Sequence, residues 1–213
     1  FVPIRSPFSS QNESDSGTGS GAGSGTGAAK MTGTRVASTI REDVVNYIAA
    51  QKSSNPNYKV IDIGGSYLSW SWNVIDYIVD YKFPKKIHDN IHYFTMNINY
   101  ESEWEELLDH VKAYGKFDFA ICSHTLEDIT TPMVPAKMMG RVAKAGFIAI
   151  PSKFAEFDSP ENPDVAGCIH HRWIFTLPAF GGLMAYPKVN FIESAKTNFK
   201  KDIGHDESRF QKV

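Results

Sequence analysis

The stretch that decides the predicted fold is residues 59–66, which read Lys-Val-Ile-Asp-Ile-Gly-Gly-Ser. A short apolar run that contains β-branched residues and ends at glycines is typical of a buried strand in a parallel sheet. Gly64 and Gly65 allow a sharp turn and leave room for a ligand against the main chain. In open α/β sheets, ligands bind just beyond the carboxyl ends of the strands. The stretch therefore predicts a ligand site at this turn.

Length and composition restrict the class of protein. A chain of 213 residues with 42% hydrophobic residues is long enough for one sizeable core. The net charge of −2 provides no electrostatic attraction to nucleic acid or to an anionic membrane surface. Cys122 and Cys168 are too few for a disulfide framework and match no zinc pattern. We therefore predict a cytoplasmic protein with no nucleic-acid or membrane partner.

The first thirty residues differ in composition from the rest of the chain. Residues 14–29 consist almost entirely of Gly, Ser, Thr and Ala, which is typical of a flexible linker. No apolar segment follows Arg5, so a secretory signal is not predicted. We predict a disordered peptide and linker over residues 1–30 and a single domain over 31–213. Met31 is consistent with a natural start after an added peptide, and a natural low-complexity tail is the alternative.

Strand-like and helix-like segments alternate through the middle of the chain. The predicted strands are residues 59–63, 77–80, 91–98, 117–123 and 147–151. Thr39 and Ser102 each begin a capping-box pattern that predicts a helix start, and residues 132–145 contain a further helix. Alternation of this kind predicts an α/β fold in which helices cover both faces of an open, mostly parallel sheet.

Four segments together resemble the class I S-adenosylmethionine-dependent methyltransferases. They are residues 60–65, Asp80 at the end of a strand, residues 117–129 and residues 141–148. The family pattern near the fourth strand ends in Leu-Glu-His, and this chain has Asp128 in place of that last histidine. The glycine turn is shorter than the family's Gly-x-Gly-x-Gly. A His-His-Arg-Trp segment at residues 170–173 resembles a subset of methyltransferase-like proteins. The resemblance implies a Rossmann-like fold.

The resemblance also implies where S-adenosylmethionine would bind. Asp62 and the backbone of the glycine turn would hold its methionine portion, and Asn97 would accept a hydrogen bond from the adenine amino group. Asp80 lies 18 residues after Asp62 at a strand end, which suits the two ribose hydroxyls. The expected cofactor-binding residues are Asp62, Gly64, Gly65, Ser66, Asp80, Asn97, Ile98 and Ser123.

Methyl transfer requires in-line positioning and, for a hydroxyl or amine acceptor, removal of a proton. The candidate catalytic residues are His124, His170 and His171. We expect His124 and one of the other two to face the same cavity. Glu127 and Asp128 are further candidate bases, although they could instead cap the following helix.

The paired histidines also raise the question of a metal site. Residues 171–177 are strand-like, and adjacent side chains on a strand point to opposite faces. No third ligand stands at a recognised spacing. The sequence therefore predicts no bound metal.

The predicted function is S-adenosylmethionine-dependent methyl transfer to a small-molecule, sugar or peptide acceptor. One alternative is a protein of the same fold that binds the cofactor, or a peptide, without catalysis. Another is a nicotinamide-binding oxidoreductase, which also uses a glycine turn and a ribose carboxylate. Its Gly-x-Gly-x-x-Gly fingerprint is absent from this sequence.

Overall fold

The computed structural model describes residues 37–66, 69–82, 90–157, 167–178 and 182–189. The predicted linker over residues 1–30 lies outside these ranges. All eight predicted cofactor-binding residues and all three candidate catalytic histidines lie within them.

The centre of the molecule is a parallel sheet of five strands, as the alternating pattern predicts. The strands are β1 (Val60–Ile63), β2 (Tyr77–Asp80), β3 (His92–Thr95), β4 (Phe117–Ser123) and β5 (Ala143–Ala149). Their order across the sheet is β3-β2-β1-β4-β5, and every neighbouring pair is parallel. The limits of β2 and β4 agree with the prediction. In contrast, β3 is shorter than the predicted 91–98, and β5 begins four residues before Phe147.

The order of the strands creates a crevice between β1 and β4. The chain adds β2 and then β3 on one side of β1, and afterwards crosses to the other side to form β4 and β5. The loops that leave β1 and β4 consequently run in opposite directions. Ligands in open α/β sheets bind at such a switch point, beyond the carboxyl ends of the strands. Gly64 and His124 directly follow these two strands.

Helices cover both faces of the sheet, as predicted. On one face, α1 (Ala37–Ser54) packs Val44 and Ile48 in the same core cluster as strand residues such as Val60 and Ile121. On the other, α2 (Glu105–Tyr114) and α3 (Met133–Val142) pack with Ile61 and Ile63. Alternate residues of a strand point to opposite faces, so β1 contributes to both clusters. Within the described residues, no helix combines the length and the apolar character needed to cross a membrane.

Both helix starts predicted from capping boxes are wrong. The first helix begins at Ala37, two residues before Thr39. At the second, a 3₁₀ helix covers Glu101–Trp104, no side chain caps it, and α2 begins only at Glu105. The tertiary structure explains this second case, because Trp104 is completely buried and its Nε1 donates to the Ile98 carbonyl at 3.2 Å. Burial of this indole, and not the predicted cap at Ser102, therefore determines where the helix begins.

The chain beyond β5 forms a short helix and a small separate sheet. In α4 (Lys153–Glu156), Ser152 is the N-cap and accepts a hydrogen bond from Ala155. The strands β6 (Trp173–Thr176) and β7 (Met184–Pro187) pair in antiparallel fashion. The strand β6 begins two residues after the start of the predicted strand 171–177. His170 and His171 therefore both precede it.

Candidate functional site

Two adjoining cavities lie at the carboxyl edge of the sheet. The first, of about 450 Å³, is lined among others by Arg41, Asp62, Ser69 and Trp70. The second, of about 330 Å³, is lined among others by Asp80, Tyr81, Asp128 and Arg172. Gly64 and His124 line both cavities. The junction therefore coincides with the crevice between β1 and β4.

Every predicted cofactor-binding residue lies on the wall of one of these cavities. The first cavity is lined by Asp62, Gly64, Gly65, Ser66 and Ser123. The second cavity is lined by Gly64, Asp80, Asn97 and Ile98. The tertiary structure thus divides the predicted set into two groups that share Gly64.

The glycine turn is required by close contacts. Gly64 has φ +75°, and a Cβ there would lie 2.3 Å from Cγ2 of Thr125. A Cβ on Gly65 would lie 2.6 Å from Cγ of Asp62. Contacts below about 3 Å cannot be relieved by small adjustments in a close-packed site. Only glycine fits at either position without displacing a neighbour.

Asp62 is a buried carboxylate on the wall of the first cavity. Its Oδ2 accepts hydrogen bonds from the hydroxyl of Ser69 at 3.1 Å and from the hydroxyl of Ser71. Burial raises the pKa of Asp62 to about 6, although the two serine hydroxyls act in the opposite direction. Ser69 and Ser71 thus provide hydrogen bonds to a buried carboxylate, a role that the sequence pattern does not indicate.

This raised pKa predicts a specific dependence of stability on pH. Between about pH 4 and pH 6 the folded protein retains a proton that the unfolded chain releases, so stability falls as the pH rises through that range. At about 1.4 kcal/mol per pKa unit, the full effect of Asp62 is roughly 3 kcal/mol. Urea unfolding at several pH values should show a decline that is smaller in Asp62→Asn, because that substitution removes the contribution of Asp62. A matched surface variant, Asp109→Asn, should leave the decline unchanged.

Asp80 and Asn97, which are predicted to contact the ribose and the adenine, differ in how many further hydrogen bonds their side-chain oxygens can accept. Oδ1 of Asp80 accepts one long hydrogen bond, 3.3 Å, from the Lys82 amide. The amide oxygen of Asn97 already accepts two hydrogen bonds from Asn99, at 3.1 and 2.9 Å. Since an amide oxygen has two lone pairs, the predicted acceptor role of Asn97 is not available in this arrangement. Asp80 remains free to accept further hydrogen bonds.

Arg41, which is not among the predicted site residues, brings a positive charge to the first cavity. Its guanidinium carbon lies 5.9 Å from the centre of the Trp70 ring. Trp70 in turn donates from Nε1 to Oγ of Ser123 at 3.2 Å and meets Phe147 edge to face. No local sequence signal identifies Arg41, because only the packing of α1 against the sheet brings it to the site.

His124 has an unusual backbone conformation. Its φ of +51° makes it the one non-glycine residue with positive φ in the part of the chain that the structure describes. Nδ1 of His124 lies 3.1 Å from Oε1 of Glu127, whose side chain is fully buried. Strained residues held by their surroundings are concentrated at functional sites. The partly exposed imidazole thus lies at the junction of the cavities, with the buried Glu127 carboxylate beside Nδ1.

Two hydrogen bonds fasten the His-His-Arg-Trp segment to the same edge of the sheet. The Arg172 amide donates to the Glu127 carbonyl at 2.6 Å, and Nε1 of Trp173 donates to the Ile129 carbonyl at 2.8 Å. The segment thereby places Arg172 on the wall of the second cavity.

His170 and His171 lie beside Asp128 instead of lining a cavity. Nε2 of each lies 3.8 Å from Oδ1 of Asp128, and neither histidine is among the described residues that line the two cavities. Burial, followed by the nearby charge of Glu127, raises the pKa of Asp128. The prediction that the two histidines cannot share a metal ion assumes that they lie on a strand and point to opposite faces. That assumption is wrong, because both residues precede β6.

Glu127 and Asp128 are not caps of α3. That helix begins at Met133, and its N-cap position is Pro132. The two carboxylates belong to the turn that follows β4, where Glu127 faces His124 and Asp128 faces the paired histidines. These positions exclude the helix-capping alternative for α3.

The site as a whole can bind an elongated polar ligand across the crevice. One end would meet Arg41 and Asp62, and the other would meet Asp80. The imidazole of His124 lies between them, at the junction of the two cavities. Comparison of the chain with known protein families, with curated proteins and with solved structures found no match in any of the three.

Proposed function

We propose that this protein is an S-adenosylmethionine-dependent methyltransferase. The observation that carries the proposal is the pair of cavities that meet at Gly64 and His124, each with its own carboxylate. An amino acid linked to a nucleoside needs this combination, since each end offers a different set of hydrogen-bonding groups. The order of the elements places the junction at the switch point of the sheet.

The first cavity suits the amino-acid end of the cofactor. Arg41 offers a guanidinium that can pair with a carboxylate, and Asp62 offers a carboxylate that can pair with an ammonium group. A zwitterion therefore finds both complementary charges on one wall. Close approach to the main chain is possible because Gly64 and Gly65 lack side chains.

The second cavity suits the nucleoside end. Asp80 has lone pairs available for two vicinal ribose hydroxyls. Tyr81, Met96 and Ile98 provide aromatic and apolar surface against which a base can pack. Asn97 would contribute through its amide nitrogen, because its oxygen is occupied by Asn99.

When bound, the cofactor supplies an activated methyl group. The protein's own contribution is then to position the acceptor and to remove its proton. His124 can take that proton on its ring, while the buried carboxylate of Glu127, 3.1 Å from Nδ1, stabilises the positive charge that results. This arrangement fits a hydroxyl or amine acceptor on a small molecule, sugar or peptide.

Calorimetry on the full chain with S-adenosylmethionine, S-adenosylhomocysteine and NAD in parallel tests the proposal. We expect the first two ligands to bind and NAD not to bind. Binding of NAD alone would favour the oxidoreductase alternative, and binding of none would refute the cofactor assignment. Binding of S-adenosylmethionine without transfer to any hydroxyl, sugar or peptide acceptor would favour a non-catalytic protein of this fold.

Removing the Asp80 carboxylate should weaken cofactor binding far more than folding. Charge-assisted hydrogen bonds to ribose are each worth about 1.5–3 kcal/mol. Asp80→Ala should therefore lower the affinity for S-adenosylhomocysteine at least about tenfold, which corresponds to 1.4 kcal/mol. The exposed Asp109 on α2 provides the control, and Asp109→Ala should bind as the wild type does. If folded Asp80→Ala retained full affinity, the ribose contact would have to lie elsewhere.

A further inference from the structure

Three side chains near the second cavity direct potential metal-binding atoms toward one point. Asp128, His170 and His171 each offer one ligand atom, and these atoms lie within 4.8 Å of one another. Oδ1 of Asp128 is 3.8 Å from Nε2 of both histidines. Asp128 follows β4 and the histidines precede β6, so residues more than forty positions apart are brought together.

We propose that Asp128, His170 and His171 bind a divalent transition-metal ion. Imidazole nitrogen and carboxylate oxygen are ligands of Zn²⁺ and of its first-row neighbours. In a tetrahedral site with bonds of about 2.1 Å, ligand atoms lie about 3.4 Å apart. The two separations of 3.8 Å exceed this by about 0.4 Å. All three ligand atoms lie within 4.8 Å of one another, so binding of the ion would also require the two imidazoles to turn toward each other.

The orientation of His171 is set by a second carboxylate behind it. Nδ1 of His171 lies 2.5 Å from Oε1 of Glu156, and both side chains are buried. If Nδ1–H donates to that carboxylate, Nε2 carries the lone pair and faces Asp128. Metal-bound histidines almost always have such an outer partner, which fixes the tautomer and raises the basicity of the ligand. The other oxygen of Glu156 lies 3.3 Å from the buried ammonium of Lys188, which holds the carboxylate in place.

A simple ion pair between Asp128 and a protonated histidine is the competing interpretation. It accounts directly for one imidazole beside the carboxylate, whereas the second ring would have to be neutral and donate Nε2–H to the same oxygen. The His170 and His171 rings have centroids only 4.5 Å apart, so two protonated rings would repel each other. If Nδ1–H of His171 donates to Glu156, a neutral His171 ring aims the lone pair of Nε2 at the carboxylate oxygen of Asp128. A bound cation removes both conflicts.

The location of the ion indicates what else it would bind. Three protein ligands leave at least one coordination position open, as in sites that bind water or a substrate. Asp128 lines the second cavity, so the ion would lie at its wall. A hydroxyl, carboxylate or phosphate oxygen of a ligand in that cavity is the chemistry that would complete the coordination.

Cobalt binding to the metal-stripped full chain tests this site without cofactor or acceptor. Co²⁺ reports its coordination by visible absorption, and Zn²⁺ should displace it. We expect one equivalent in the wild type and a loss of affinity of at least about 10²-fold in His170→Ala and in Asp128→Asn, above the range for outer-shell changes. These side chains are 61% and 41% exposed, so the fold should survive both substitutions. The exposed His92 provides the control, and His92→Ala should bind Co²⁺ normally.

Two results would overturn the site. The first is a wild-type protein that binds no Co²⁺, and the second is folded His170→Ala and Asp128→Asn variants that bind it with unchanged affinity. Glu156→Gln tests the orienting contact separately, and it should weaken binding about 10–100-fold. Because no cofactor is present, the outcome is independent of whether S-adenosylmethionine binds.

Discussion

Replacing His124 with asparagine should lower methyl transfer by about 10²–10⁴-fold, the usual contribution of a positioned general base. Asparagine is the informative substitution because it tolerates positive φ, and His124 has φ +51°. Alanine would add backbone strain to the loss of the imidazole. The measurement is release of S-adenosylhomocysteine with whichever hydroxyl, sugar or peptide acceptor the wild type methylates.

The same variant should bind S-adenosylhomocysteine almost as the wild type does, since the carboxylates and the guanidinium of the cavities are untouched. His92, at the amino end of β3, provides the matched control, and His92→Asn should retain full turnover. Glu127→Gln should lower turnover less than His124→Asn, because Glu127 acts through the imidazole. Unimpaired turnover in folded His124→Asn would exclude His124 as the base.

Replacing Gly64 with alanine should cause the largest loss of stability of any single methyl group added at the site. The substitution places L-residue backbone at φ +75° and a methyl carbon 2.3 Å from Cγ2 of Thr125. The backbone costs about 1–2 kcal/mol, and overpacking adds about 1–3 kcal/mol. At about 2–4 °C per kcal/mol, the melting temperature should fall by about 4–20 °C.

Gly115 separates the two contributions. It has φ +88°, ends α2, and has no atom within 4 Å of the position of an added Cβ. Gly115→Ala should therefore show the backbone cost alone. Adding Thr125→Ala to Gly64→Ala removes the two closest atoms, at 2.3 and 2.8 Å, and should recover part of the difference. If Gly64→Ala lowered the melting temperature as much in a Thr125→Ala background as in the wild type, the close contact with Thr125 would carry no cost.

The parts of this protein that can be predicted from sequence are those in which local pattern and burial agree. The strand β4 is apolar except at Asp118 and Ser123, its other residues are buried, and its predicted limits are those observed. The limits of β2 also agree, and the parallel pairing of β4 with β5 follows from the helix α3 between them. Within the described residues no helix separates β1, β2 and β3, so their parallel pairing does not follow from such alternation. The turn after β1 is predictable because paired glycines at the end of an apolar run favour a sharp change of direction.

Predictions that rest on local capping are less successful. The pattern at residues 102–105 has the right residues for a cap, yet the buried Trp104 sets the course of the chain there. A side-chain cap contributes about 1 kcal/mol, whereas complete burial of a large aromatic side chain contributes more. Tertiary packing therefore overrides the local signal.

The sequence by itself determined the α/β class, the buried strands and the carboxylates and glycines that follow them. Only the tertiary structure decided which of those polar groups meet. The hydrogen bond from Arg172 to the Glu127 carbonyl turns His170 and His171 toward Asp128, and the packing of α1 delivers Arg41 to the first cavity. Both depend on contacts between residues far apart in the chain, and spacing along a sequence carries no information about such contacts until the sheet order is known.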